Sequence, residues 1–203
     1  ESCSEVNVTE MIEFCKKYKL ATGAMHLCTN TMGDKGPLAA LKLLKDFYQE
    51  AQKDEKSRQK APSLEEVKTL VNIPANNSER LPLERCASYL GLKLLWATKL
   101  FIQGKKFPKG AFDADTWPKV CHLVLNQITE PDYMEVMSSI DASTYFQIMC
   151  LPFNPYYPQH DFILESKKIS HRYLFDKITN FCMVRAKGDV VRTSYLCFIA
   201  NIV

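Results

Sequence analysis

Glycine is scarce. Seven occur in 203 residues, about half the usual frequency, which argues against a sandwich or barrel assembled from many tight turns. Excess charge of one sign is scarce too. Twenty-six lysines and arginines stand against twenty-three aspartates and glutamates, leaving a net +3 with the signs interspersed. That is too little to mark a general nucleic-acid or membrane-surface binder. No apolar run approaches the ~18 residues of a membrane span, and no secretory leader pattern opens the chain. HExxH, Gly-x-Ser-x-Gly and CxxC are all missing, so no ready-made metal or nucleophile motif is in view.

What is present suffices for a core. Hydrophobic residues make up 46% and charged residues 24%, the proportions of a globular chain rather than a disordered one. A compact chain of this length buries roughly 70% of its unfolded surface without staples. The eight cysteines, with sequons at Asn7-Val8-Thr9 and Asn76-Asn77-Ser78, would permit a disulfide-bonded, glycosylated protein. However, Cys15, Cys28, Cys86, Cys121, Cys150 and Cys182 fall on apolar stripes, where a free thiol behaves as a small hydrophobe. Reduced thiols in an intracellular protein are therefore expected. The chain starts at Glu1-Ser2-Cys3 and stops inside an apolar run, so it reads as a piece of a longer polypeptide.

The periodicity is helical nearly throughout. Val8, Met11, Ile12, Cys15 and Tyr18 follow the i, i+3, i+4 rule and predict a helix over 8–20. A second helix is predicted over 22–32, stopped by Gly33 in a left-handed conformation. A third opens at Gly36-Pro37, with proline at the first helical position, and buries Leu38, Leu41, Leu44, Phe47, Tyr48 and Ala51. Residues 53–62 form a charged loop or helix end. Ser63-Leu64-Glu65-Glu66 is a capping box for a short helix, and 72–81 is a loop. The most apolar helix is predicted over 83–103, closed by Gly104. Its apolar residues occupy more than one face, so neighbours must cover it on two sides. Asp115 is expected to cap the helix that follows, and Trp117, Val120, Cys121, Val124, Leu125 and Ile128 to form its stripe. Helices over 133–140 and, capped by Asp141, to about 151 come next. Residues 152–161 are a proline- and aromatic-rich loop. A helix from Ser170 to about Lys187, ended by Gly188, and a last one capped by Asp189 complete the chain.

Nine or ten consecutive amphipathic helices with short connections predict an all-α protein. Pairs of about 30–40 residues point to an α-solenoid of antiparallel helix pairs, with 1–203 as a single segment; a compact bundle is the alternative.

The search for chemistry yields little. Gly33-Asp34-Lys35-Gly36 lacks the preceding strand of a phosphate loop. His26 and Cys28 are two apart on a helix and point to different sides. His122 borders a buried stripe, and Asp161 beside His160 is placed to cap a helix. Glu65-Glu66 and Asp113/Asp115 suit helix N-termini. No acid–base pair, cofactor or metal site is therefore expected. Two basic clusters remain as candidate partner contacts: Lys105, Lys106 and Lys109 around Phe107-Pro108, and Lys167, Lys168 and Arg172 at a helix start. An aromatic between lysines usually packs inward, and cations at a helix start oppose its dipole, which makes the second cluster the more notable of the two.

Several segments bear a family resemblance. Residues 11–20, Ala24-Met25-His26-Leu27-Cys28 and 37–44 resemble a helix pair of the clathrin-heavy-chain-like repeats. Tyr89-Leu90-Gly91-Leu92-Lys93-Leu94-Leu95-Trp96, continued by Gly104-Lys105-Lys106-Phe107-Pro108-Lys109-Gly110, resembles the "G-x-K-L-L … G-x-x-F-P-x-G" stretch of the vacuolar protein sorting subunit eight family. That family supplies the core membrane-tethering subunit of the endosomal CORVET complex. Ile140-Asp141-Ala142-Ser143-Thr144-Tyr145-Phe146 fits the "D-x-x-x-F" turn that follows there. The likeness covers about residues 11–153, and the charged 53–60 stretch departs from it.

The resemblance implies a non-enzymatic scaffold segment in the cytoplasm, peripheral on endosomal or vacuolar membranes. Its partners would be other tethering-complex subunits, and a Rab GTPase would be engaged only through regions outside this chain. No nucleic acid is expected on that reading. Two rival readings are a compact, nucleoprotein-like helical domain that binds nucleic acid, and a helical enzyme with a Cys28 or Cys150 nucleophile.

Overall fold

A computed structural model describes residues 7–56, 86–153, 171–184 and 189–200. Among them are eight α-helices and no strand: α1 (Val8–Lys17), α2 (Ala21–Thr31), α3 (Gly36–Lys56), α4 (Ala87–Ile102), α5 (Trp117–Ile128), α6 (Pro131–Cys150), α7 (His171–Val184) and α8 (Asp189–Ala200). Short 3-10 turns occupy Gly33–Lys35 and Leu151–Phe153. The all-helical expectation holds. The predicted Ser63 capping box, the 72–81 loop, His160, Asp161 and the glycine stop at 188 lie outside the described residues, as do most of 53–62 and 152–161. Where the sequence pointed to one segment over 1–203, contacts group the chain into two compact units. One is Glu1–Leu94 with Lys106–Lys109, the other Leu95–Lys105 with Gly110–Val203.

In the first unit, α1 opens on Asn7, whose side-chain carbonyl accepts from the Thr9 N–H at 3.1 Å. Glu10 in the first turn and Lys16 and Lys17 in the last complement the helix dipole. The helix stops at Lys17 rather than near residue 20. Lys19 takes a left-handed conformation with φ 56, and the Leu20 N–H closes back onto the Cys15 carbonyl at 2.8 Å, satisfying a carbonyl of the last turn. The Lys19 ammonium then reaches α3, 3.5 Å from Glu50 and 3.3 Å from Asp54.

Helix α1 packs on α2, and α2 on α3. The α2–α3 connection is very tight. Gly33 supplies the left-handed φ of 60 that ends α2, as the sequence predicts. A Cβ on Gly36 would collide with the Cys28 carbonyl oxygen, so the start of α3 is pressed against the last turns of α2. Ala24, Met25 and Cys28 on α2 and Ala40, Leu41 and Leu44 on α3 are buried there. Helix α3 ends at Lys56, and near that end the Glu55 carboxylate accepts from the Ala87 N–H at 2.8 Å. An acid from thirty-two residues upstream thus caps the first turn of α4, where an orphan donor and the positive end of the dipole both favour it.

In the second unit, the turn between α4 and α5 differs in detail from expectation. Thr116 is the N-cap position of α5, and Asp113, not Asp115, supplies the carboxylate, accepting from the Thr116 N–H at 2.8 Å. Hydrogen bonding to Thr116 holds the Asp113 carboxyl below its ordinary pKa. Helix α5 buries all six residues of its predicted stripe. The two helices predicted on either side of Asp141 form one rod with a break. Asp141 has φ −157 and ψ 97, and its carboxylate accepts from the Thr144 N–H at 3.0 Å and hydroxyl at 2.9 Å. It caps the second half as predicted. Helix α6 packs on α5 and α8, and α7 on α8. Tyr145, fully buried, donates to the Ile128 carbonyl at 3.1 Å, while Phe146, Tyr195 and Phe198 cluster with centroids 5.7–6.4 Å apart.

The two glycines of the α2–α3 connection have different jobs, so their alanine variants should rank. Gly33→Ala meets open space and only the left-handed backbone penalty, about 1 kcal/mol. Gly36→Ala has an ordinary helical φ and better helix propensity, yet is expected to cost about 2–3 kcal/mol through overpacking. Thermal unfolding of the two variants checks this; a Gly36→Ala chain as stable as Gly33→Ala would mean that α2 and α3 do not approach this closely.

Candidate functional site

The segment that follows α4 is held from two sets of contacts. Gly104 ends the helix with φ +75, and a Cβ there would sit 3.0 Å from the Trp117 ring. The Trp117 indole N–H donates to the Ile102 carbonyl at 3.2 Å. The Lys105 N–H donates to Leu100 at 2.9 Å, the Phe112 N–H to Gly104 at 2.8 Å, and Lys105 and Ala111 form a single antiparallel bridge. Phe112 meets Phe101 edge-on at 6.3 Å. These contacts all lie in the second unit and fix both ends of the turn.

Its middle, Lys106–Lys109, belongs to the first unit. Phe107 is 3% exposed, and its carbonyl accepts from the Asn30 amide on α2 at 3.0 Å. The Lys93 ammonium lies 5.9 Å from the Phe107 ring centroid and 4.7 Å from that of Tyr89. It also donates to the Tyr89 hydroxyl at 3.1 Å and to the Thr22 hydroxyl. Lys93 is itself only 8% exposed. Hydroxyl acceptors and ring faces are the kind of partner a desolvated ammonium needs. The Phe107–Pro108 peptide bond is cis.

Around that anchored ring the cations point outward. Lys105 and Lys109 are exposed and Lys106 is half-buried. The aromatic packs inward and leaves lysines on the surface, as the sequence implies. Lys167 and Lys168 lie outside the described residues. Arg172 sits on another element, α7, with its guanidinium largely in solvent and 3.9 Å from Asp176 one turn on. The two basic clusters are thus an anchored turn and a solvated helix start.

A recess in the second unit was not foreseen. It measures about 430 Å³ and is lined by Thr129, Glu130, Pro131, Met134, Lys177, Asn180 and Phe181. Lys177 donates to Glu130 at 2.8 Å and lies 5.0 Å from the Tyr173 ring centroid. Burial pulls the Lys177 pKa down, but hydrogen bonding to Glu130 and Tyr173 outweighs it, so the net shift is upward. The group stays charged at neutral pH. Tyr173 and Lys177 at i, i+4 were visible in the sequence, but their pairing with Glu130, forty-seven residues away, was not.

The other sequence candidates are placed as follows. His26 is exposed and Cys28 buried, on different sides of α2 as expected. Burial pushes the Cys28 and Cys150 thiols up, the opposite of the shift that activates a nucleophile. The Cys121 and Cys182 thiols are pushed up to about 12 by burial. His122 is half-buried and pairs through Nε2 with Asn126 at 3.2 Å. Among the described residues no cluster of His, Cys, Asp and Glu could hold a metal ion, the seven described cysteines form no disulfide, and no helix is long and apolar enough to cross a membrane. Comparison with protein-family models, curated proteins and solved structures finds no match for this chain.

The thiol environments set an order of reactivity. At pH 8 a thiol with a pKa about 12 has roughly a thousandth of the thiolate of a free cysteine. Iodoacetamide is therefore expected to label exposed Cys197 first among the described cysteines, with Cys121 and Cys182 protected until the chain unfolds. Peptide mapping of the alkylated native protein reads this order directly. Early labelling of Cys121 would show that α5 opens readily.

Proposed function

We propose that this chain is a scaffold segment of an endosomal or vacuolar membrane-tethering subunit, of the kind found in the vacuolar protein sorting subunit eight family. On this reading it is non-enzymatic and acts through protein–protein contacts that serve vesicle-mediated protein transport. Its helices are read as clathrin-heavy-chain-like antiparallel pairs of an α-solenoid, spacing and presenting the ends of a larger subunit. Its partners are other subunits of a CORVET-like complex. Membrane association is indirect, and contact with a Rab GTPase falls to regions outside these residues.

The observation that carries the reading is the turn after α4. The "G-x-x-F-P-x-G" residues on which the resemblance rests are those the fold holds most elaborately. Gly104 lies under Trp117, and Phe107 is buried with Lys93 near its face. The successive packing of α1 on α2 and α2 on α3, through short connections, also suits a chain of helical repeats. The nucleoprotein-like alternative gains less: with Phe107 turned inward, the lysines around it have no aromatic face on which a base could stack.

Affinity capture of the native polypeptide, with mass analysis of the peptides on both sides of residues 1–203, tests the proposal. The expected result is a chain several times longer, with strand-rich sequence upstream and a Cys/His-rich cluster downstream, recovered with other large subunits. Recovery of RNA in a salt-sensitive complex, with no protein partner, would overturn it and favour the nucleoprotein-like reading.

A further inference from the structure

We infer that the anchored turn around Phe107 is a docking site for an acidic peptide segment of a partner protein, recognised by Lys105, Lys106 and Lys109. This deepens the scaffold reading by naming the chemistry of one contact. The first ground is charge. Between Gln103 and Phe112 the sequence holds three lysines and no acid. The nearest carboxylate in sequence, Asp113, is engaged in its own turn by Thr116.

The second ground is order. A lysine on a mobile loop loses side-chain and backbone entropy when it binds, and much of its Coulomb attraction is lost to screening. Here the backbone cost is met on folding. Asn30 holds the Phe107 carbonyl, the buried Phe107 ring is held beside Lys93 and Tyr89, and the Lys105–Ala111 bridge closes the turn. Exposed Asn30 and His26 on α2 stand beside the Phe107 carbonyl, adding hydrogen-bonding groups at the edge of the cations. Preorganised cations of one sign are what an acidic strand recognises.

The third ground selects a peptide over other polyanions. Membrane binding by a short basic turn needs a second, apolar signal to enter the acyl region. The one aromatic here is buried, and exposed Pro108 stands alone between the lysines. Single-stranded nucleic acid needs stacking platforms as well as cations, and the turn displays none. An acidic peptide requires only fixed cations and hydrogen-bonding groups.

The test is fluorescence anisotropy of a fluorescein-labelled Glu/Ser-rich peptide titrated with the full chain at about 50 mM and about 300 mM salt, across which screening changes strongly. Saturable binding at low salt is expected, weakened at least about ten-fold by the triple charge reversal Lys105→Glu, Lys106→Glu and Lys109→Glu. Lys42→Glu, Lys53→Glu and Lys119→Glu together change the net charge equally at other exposed positions and should leave binding within about two-fold. Because Lys106 is half-buried, the double variant Lys105→Glu with Lys109→Glu is measured too, and circular dichroism checks that each chain remains helical.

Equal weakening by the control reversal would reduce the effect to net charge and overturn the proposal, as would unchanged binding in the loop variants. Lysine-dependent binding to phosphatidylserine–phosphatidylcholine vesicles or to poly-U, without peptide binding, would overturn it in favour of a membrane or a nucleic acid. The scaffold reading fails separately. Loss of peptide binding with partner subunits still captured removes only the acidic ligand, whereas intact peptide binding with no captured subunit removes the tethering assignment.

Discussion

The constraint on which most of this structure depends is the apolar circumference of α4. Leu90, Leu94, Leu95, Ala97, Thr98, Phe101 and Ile102 are all at or below 1% exposure, spread with Lys93 over roughly half of the helix surface, wider than the stripe of a helix packed on one side. Such a helix is stable only when cover comes from several directions. The chain meets this by dividing its residues: the helix up to Leu94 belongs to the first compact unit and the rest to the second. Burial of a Leu or Phe side chain is worth about 1.5–3 kcal/mol, so this one helix anchors a large part of both cores.

Everything at its two ends follows from keeping that helix terminated and satisfied. At its start an orphan N–H is taken by Glu55 from α3. At its end Gly104 turns the chain under Trp117, which returns a hydrogen bond to the Ile102 carbonyl. The turn between Gly104 and Gly110 is then short, pinned at both ends and filled by Phe107. Its lysines are left at the surface because the aromatic took the interior. A structural necessity, ending an unusually apolar helix, thereby creates an ordered cationic feature that could serve recognition.

Charge within the core is handled in the same economical way. Lys93 shows how a lysine can be buried on an apolar helix, with its stem among hydrophobic neighbours and its ammonium given hydroxyls and ring faces. Lys177 does the equivalent at the recess with Glu130 and Tyr173. In both, partners come from one turn along the same helix, Tyr89 for Lys93 and Tyr173 for Lys177, and from a distant element that only folding brings near. The thiols follow the opposite rule: desolvation without compensation pushes Cys121 and Cys182 up to about 12, leaving them as packing groups.

By itself the sequence determined the all-helical class, the existence of most elements and several of their ends. Those properties depend on local physics: 3.6-residue periodicity, a glycine at positive φ after α2 and α4, and the Asp141 cap that breaks α6. It also showed the lysines of the 104–110 turn and that the ring among them would pack inward. Only the tertiary structure decided that α1 stops at Lys17, that Asp113 rather than Asp115 closes the turn before α5, and that Glu55 caps α4. The same holds for Lys93 beside Phe107 and for Glu130 with Lys177. Each pairs groups whose separation along the chain carries no periodic signal, because the free energy of a buried charge or an orphan N–H depends on what folding places within about 3 Å of it.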